Sequence, residues 1–249
     1  MPKVFVHGNP ETAAIWDDLV SELFARGVDD IVRLSPPGFG APTPAGWGAT
    51  REDYAQWLTG ELGAVGGPID LVGHDWGAGH VFGVLAGEPG LVRTWASDCA
   101  GLMHPDYVWH DAAQAWQTPE VGEQAVAGML SLDEDSFAAV FSSLGMRDAI
   151  ARAVRRGLDD ETARCVLALY RSAAQPAMCD LGRQFVASRP TNGLVIIAEN
   201  DHYAGSAHMH EEMAESVGAR VLHVAGAGHW WMIERPAEAA EALIEHWAR

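Results

Sequence analysis

IDLVGHDWGAGH, residues 69–80, begins as an apolar run, halts at Gly73 and restarts near Gly77 with helical spacing. Asp75 falls on the turn between the two. A strand that ends in such a turn and feeds straight into a helix exposes its central residue at the carboxyl edge of a sheet. This is the strand–turn–helix context G-x-nucleophile-x-G. The flanking glycines let the turn pack closely, and the helix N-terminus favours an ionised carboxylate beside it. A simple N-cap role would account for the carboxylate. It would account for neither glycine.

Outward from this elbow the chain alternates. Short β-rich runs at 3–8, 30–35, 69–75, 92–98, 193–201 and 219–226 are separated by amphipathic patterns at 12–26, 51–64, 78–88, 206–217 and 236–248. The first, third and fifth runs are almost continuously apolar, as in strands covered on both faces. The alternation predicts right-handed crossovers and an α/β fold, a mainly parallel sheet flanked by helices. From about Met103 to Arg189 the rhythm breaks. The pattern there is helical throughout and carries Trp109, Trp116, Phe137, Phe141 and Tyr170. It reads as an inserted helical cap, residues 103–189, between two parts of a core, residues 1–102 and 190–249. SPPGFGAPTPAGWG (35–48), dense in Pro and Gly, reads as a surface loop.

The 249 residues, 48% of them hydrophobic, suit one large α/β domain or a core with an insertion. No apolar run is long enough to span a bilayer. MPKVFVHG starts directly as a strand, leaving no room for a secretory leader. Cys99, Cys165 and Cys179 have no metal spacing and read as ordinary thiols of a reducing, cytoplasmic compartment. A formal charge of −18 disfavours nucleic acid and anionic membranes and suits a neutral or cationic small molecule. No pattern points to a metal or a cofactor, and none sets the oligomeric state.

Five motifs in order carry a resemblance: HGNP (7–10), PPGFG (36–40), GHDWG (73–77), ENDHYAG (199–205) and GAGHWWMIERP (226–236). Together they resemble the α/β-hydrolase superfamily, specifically the aspartate-nucleophile branch that includes haloalkane dehalogenases and epoxide hydrolases. The resemblance covers essentially all of the chain outside the cap. It implies the α/β-hydrolase fold with one departure: the family opens with an antiparallel hairpin, and this chain starts at the HG strand. The sheet is expected to lack that hairpin.

An imidazole is the natural base near neutral pH, and His229 lies on a glycine-rich loop after the last strand, matching the order nucleophile, acid, histidine. The orienting acid is Asp201 at the end of VIIAEND, with Asp98 at the end of VRTWASD as the competitor. A carboxylate nucleophile suits an sp³ carbon with a good leaving group. Attack by Asp75 gives an alkyl-enzyme ester, which a water activated by His229 then hydrolyses. The backbone N–H of Trp76 and one near Asn9 form the oxyanion hole. The resemblance also implies an Asn9–Trp76 donor pair for a departing halide. Against it, Tyr170 resembles the ring-opening tyrosine of an epoxide hydrolase, with Tyr107 or His110 as its second donor. Asn9 could instead merely brace the turn before Pro10, Trp76 could merely pack, and Tyr170 could be core. Trp76, Trp109, Trp116, Trp230 and Met232 are expected to line an apolar pocket. The function expected is haloalkane dehalogenase-like hydrolysis, with epoxide hydrolysis as the alternative. An ester or lactone hydrolase and a non-catalytic ligand-binding protein stand behind these.

Overall fold

The computed structural model describes residues 1–249. Its strands are β1 (Lys3–Val6), β2 (Ile31–Leu34), β3 (Ile69–Gly73), β4 (Val92–Ser97), β5 (Gly193–Ala198) and β6 (Arg220–Val224), one for each β-rich run of the sequence. They form one sheet in the order β2-β1-β3-β4-β5-β6, every pairing parallel. The sheet is thus wholly rather than mainly parallel. From β1 the chain steps outward to β2, then returns to β3 on the other side of β1. That reversal opens a crevice at the carboxyl ends of β1 and β3. The loops leaving these two strands carry Gly8–Asn9 and Asp75.

The helices are α1 (Asp17–Ala25), α2 (Arg51–Val65), α3 (Trp76–Gly87), α4 (Asp111–Gln117), α5 (Val121–Leu130), α6 (Glu134–Ser143), α7 (Asp148–Arg156), α8 (Asp160–Ser172), α9 (Ala177–Ser188), α10 (Ala207–Val217), α11 (Trp231–Glu234) and α12 (Pro236–Trp247). Alternation along the strands sorts the core into two clusters. Val4, Val6, Leu71, Trp95, Val195 and Ile197 face α2, α3, α9 and α10. Phe5, Val72, Ala96, Leu194 and Ile196 face α1 and α12. No helix is long and apolar enough to cross a membrane.

The stretch between β4 and β5 is helical, but its parts differ. Phe185 of α9 packs edge-on against Phe82 and Trp95, at ring separations of 5.3 and 5.6 Å. α9 is therefore the crossover helix that returns the chain to the sheet, so a helical pattern running to Arg189 merges two structural roles. The remaining helices share the core's own clusters. Ala113, Val126 and Leu169 of α4, α5 and α8 join the first. Phe137, Ile150 and Val154 of α6 and α7 join the second, beside Ile15 and Trp16. The loop at 35–48 also departs from expectation. Pro36 to Phe39 are buried, because α8 covers them. The Thr162 hydroxyl donates to Gly38 O at 2.8 Å, and the Tyr54 hydroxyl donates to Pro37 O at 2.8 Å.

Candidate active site

β3 ends at Gly73, and Asp75 follows with φ 52° and ψ −122°. A non-glycine residue there stores strain that the surroundings must hold in place. What holds it is close packing. A Cβ on Gly77 would lie 2.1 Å from Val6 O, so only glycine lets α3 start against β1. The Asp75 side chain makes no capping bond to α3, which removes the N-cap reading. It turns instead toward the β1 loop. Asn9 N–H donates to Asp75 Oδ1 at 2.8 Å.

The loop after β6 brings His229 to the same place. Its Nε2 lies 3.8 Å from Asp75 Oδ2, and its Nδ1 lies 2.8 Å from Asp201 Oδ2. Asp201 is fixed in turn by Tyr203 N–H, which donates to Oδ1 at 2.8 Å. The structure brings Asp75, His229 and Asp201 into one chain of contacts. It does not bring Asp98 to His229. Asp98 accepts Asp75 N–H on Oδ1 at 3.0 Å and the Trp231 indole N–H on Oδ2 at 2.6 Å, and pairs with His74 Nδ1. The two acids differ by position: β4 ends under the elbow, β5 ends beside the His229 loop.

The electrostatics follow from burial and pairing. Burial raises the Asp75 carboxyl to about 6; Glu11 adds to the rise, while His229, His74 and the Asn9 N–H oppose it. Burial alone would keep His229 neutral, but the charge and hydrogen bond of Asp201 outweigh it and lift His229 to about 9. Burial opposes ionisation of Asp201 as well, yet His229 and the Tyr203 N–H hold it well below the usual carboxylate range.

Over Asp75 lies a cavity of about 190 Å³, lined by Asn9, Pro10, His110, Ala112, Trp116, Met129, Phe141, Leu144, Tyr170, Tyr203, His229 and Trp230. A smaller inner chamber touches Asp75, Trp76, Trp109 and Tyr170. Asn9 is buried, yet its side-chain Nδ2 and Oδ1 have no partner. The side chain therefore does not brace its own turn. Trp76 lies in an aromatic stack, 6.0 Å from Trp109 and 6.2 Å from His80. Tyr170 meets Trp76 edge-on at 5.2 Å and lines the same cavity as Asn9. Burial first, and then the nearby Asp75 charge, keep this phenol protonated far above its ordinary range.

Of the expected pocket residues, Trp116 and Trp230 line the cavity and Trp109 the inner chamber. Met232 does not. It is fully buried in the second core cluster, because α11 turns inward straight after His229. Tyr107 is not free to act on a ligand, since its hydroxyl donates to Tyr203 O at 2.7 Å. His110 accepts Ala113 N–H on Nδ1 at 3.3 Å, which puts the proton of its neutral ring on Nε2, and the residue lines the cavity.

Two residues had no functional reading in the sequence. His74 lies between Asp98 and Glu11, its Nε2 3.1 Å from Glu11 Oε1. Glu11 also accepts Gly8 N–H at 2.9 Å and the Trp230 indole N–H at 2.6 Å. Glu11, His74 and His229 could offer a metal three ligand atoms within 4.8 Å of one another, and so could Cys99, Asp201 and His229. Both nitrogens of His74 already face carboxylates, and Asp201 and His229 already bond each other. These contacts account for both clusters without an ion.

A parallel sheet with an elbow at its carboxyl edge, faced by a histidine–carboxylate pair, defines a hydrolase of the α/β class. The α/β hydrolase family model matches residues 4–242, and the chain belongs to that family. Among solved structures it is similar to haloalkane dehalogenase DbeA from Bradyrhizobium elkani USDA94, with 23% identity over 99% of this chain and 91% of that one, TM-score 0.71. A mutant of haloalkane dehalogenase DatA from Agrobacterium tumefaciens C58 gives 18% identity, 100% and 90% coverage and TM-score 0.78. E-2-(acetamidomethylene)succinate hydrolase gives 19%, 100% and 91%, TM-score 0.71. These likenesses speak for the fold. No curated protein sequence matches the chain.

Proposed function

We propose that this hydrolase displaces a leaving group from an sp³ carbon of a small neutral substrate, with a halide as the group displaced. Asp75 Oδ2 attacks the carbon and forms an alkyl ester. His229, oriented by Asp201, takes a proton from the water that attacks the ester carbonyl. The Asn9 and Trp76 backbone N–H groups receive the resulting oxyanion, while the side chains of the same residues receive the halide. Helices α4 to α8 act as a cap that keeps bulk water from the ester.

The observation that carries this reading is the Asn9 side chain: buried, unpartnered, and on the wall of an aromatic cavity that also holds Asp75. A buried amide without a partner costs on the order of 1–3 kcal/mol, so a site that keeps one open is built to fill it with something. A net charge of −18 offers an anion no general attraction, which makes local donors necessary. The cavity's modest volume fits a substrate of a few carbons.

One observation favours a second reading. Tyr170 and His110 line the same cavity as Asp75 and Asn9, so an epoxide oxygen bound there could be protonated by the phenol. The test is to assay haloalkanes, epoxides and simple aryl esters side by side, measuring halide, diol and acid release. His229→Gln should then trap the ester, and the intact mass should rise by the alkyl group. Halide release with a trapped adduct supports the proposal. Diol without halide installs the epoxide reading, aryl-ester turnover without an adduct an acyl hydrolase, and ligand binding without turnover a binding protein.

A further inference from the structure

We propose that His74 is a positioning cation: clamped between Glu11 and Asp98, it joins the three loops that build the site and sets the charge under the nucleophile. The clamp is symmetrical. Glu11 takes a backbone N–H, that of Gly8, on Oε2, and an indole N–H, that of Trp230, on Oε1. Asp98 takes a backbone N–H, that of Asp75, on Oδ1, and an indole N–H, that of Trp231, on Oδ2. His74 completes each set, one ring nitrogen on the oxygen that also holds the indole.

Every partner of either carboxylate is thus a donor, which is what an ionised carboxylate requires. A neutral imidazole has one N–H and one lone pair, and the lone pair would face a carboxylate. Only the doubly protonated ring satisfies both sides. His74, Glu11 and Asp98 are all buried, so no solvent competes for these bonds. Trp16 and Trp231 flank the ring edge-on at 6.2 and 6.5 Å.

The geometry explains the Trp230–Trp231 pair after His229. The two indoles point to opposite carboxylates of one clamp and so hold the His229 loop. Glu11 ties in the Gly8–Asn9 loop, and Asp98 ties in the elbow. The titratable groups facing His74 are Glu11, Asp98, His229 (ring separation 4.6 Å), Asp75 and His7. At Asp75 the clamp's charges pull in opposite directions: His74 favours the carboxylate and Glu11 disfavours it.

The test has two arms. The first needs no substrate and does not depend on the proposed reaction: ¹⁵N NMR of the free protein should show both His74 ring nitrogens protonated from pH 6 to pH 9. A neutral tautomer at pH 7 overturns the proposal. The second arm rests on the proposed ester chemistry and follows ester formation against pH. His74→Gln should move the Asp75 limb up and Glu11→Gln should move it down, each by about one pH unit; from a wild-type limb at about 6, the rate at pH 6 should fall about fivefold in the first and rise about twofold in the second. A merely structural role would lower both rates and move neither limb. Where a variant fails to fold, the NMR arm on the wild-type protein still decides.

Discussion

Replacing Asp201 with asparagine should separate the two half-reactions. Asp201 accepts from both His229 Nδ1–H and Tyr203 N–H. An asparagine cannot keep both bonds with its single oxygen. With that oxygen on Tyr203, its NH₂ faces His229 and forces the proton onto Nε2, the nitrogen that must accept from water. The loss of charge acts in the same direction. His229 sits at about 9, against 6.5 for a free imidazole. At 1.36 kcal/mol per tenfold, that difference is worth roughly 3 kcal/mol of imidazolium stabilisation, most of it from Asp201. Hydrolysis of the ester should therefore slow by about 100-fold or more. Its formation, which needs no proton transfer through His229, should change little. Rapid quench followed by intact-protein mass would show the alkyl adduct building up at nearly the wild-type rate and decaying slowly. The reasoning fails if Asp201→Asn slows adduct formation as much as its decay. It also fails if Asp98→Asn produces this accumulation and Asp201→Asn does not.

Three further outcomes test the leaving group, the nucleophile and the base. Asn9→Ala should slow halide release by about 100-fold, the cost of one donor lost to a developing anion, while Tyr170→Phe should cost less than tenfold; the reverse order, with diol as product, belongs to an epoxide hydrolase. The pH dependence follows from the carboxylate. Asp75 attacks only when ionised and its pKa is about 6, so ester formation should fall about tenfold per unit below pH 6, and a single-turnover rate that is flat from pH 7 to pH 5 counts against it. Forming the ester removes the Asp75 charge, which helps to raise His229, so the hydrolysis step should reach its plateau below the value of about 9 that applies to the free enzyme.

The fold was legible because strand and helix periodicities differ and because turn residues separate them. All six strands and the five flanking helices lie where the patterns predict. The end of the insertion was not legible, since α9 and its predecessors share one helical period and differ only in what they pack against. The grouping of the candidate site was legible where chemistry fixes the residue type: the elbow aspartate, the loop histidine and the acid at a strand end meet in the fold. Glu11 was not. A glutamate in a polar-looking turn reads as solvent-exposed, and only the fold shows that an indole, an amide and an imidazole converge on it. Met232 fails for the opposite reason. Its place beside the histidine suggested a pocket wall, but α11 reverses the chain within one turn and buries it.

The close approach of Gly8 to the nucleophile gives the two oxygens of Asp75 different fates. A Cβ at Gly8 would stand 2.2 Å from Oδ1, so glycine leaves the space this atom fills, and the Asn9 N–H holds it there. Under the proposed chemistry Oδ2 leaves with the product as its alcohol oxygen, and the atom that replaces it comes from water. The alcohol made in one cycle thus carries an atom that water delivered in the cycle before. On the same chemistry Oδ1, held by Asn9 N–H, would stay from cycle to cycle. On that chemistry catalysis would rebuild half of a functional group at each turnover, and the bond from Asn9 N–H marks the half that is kept.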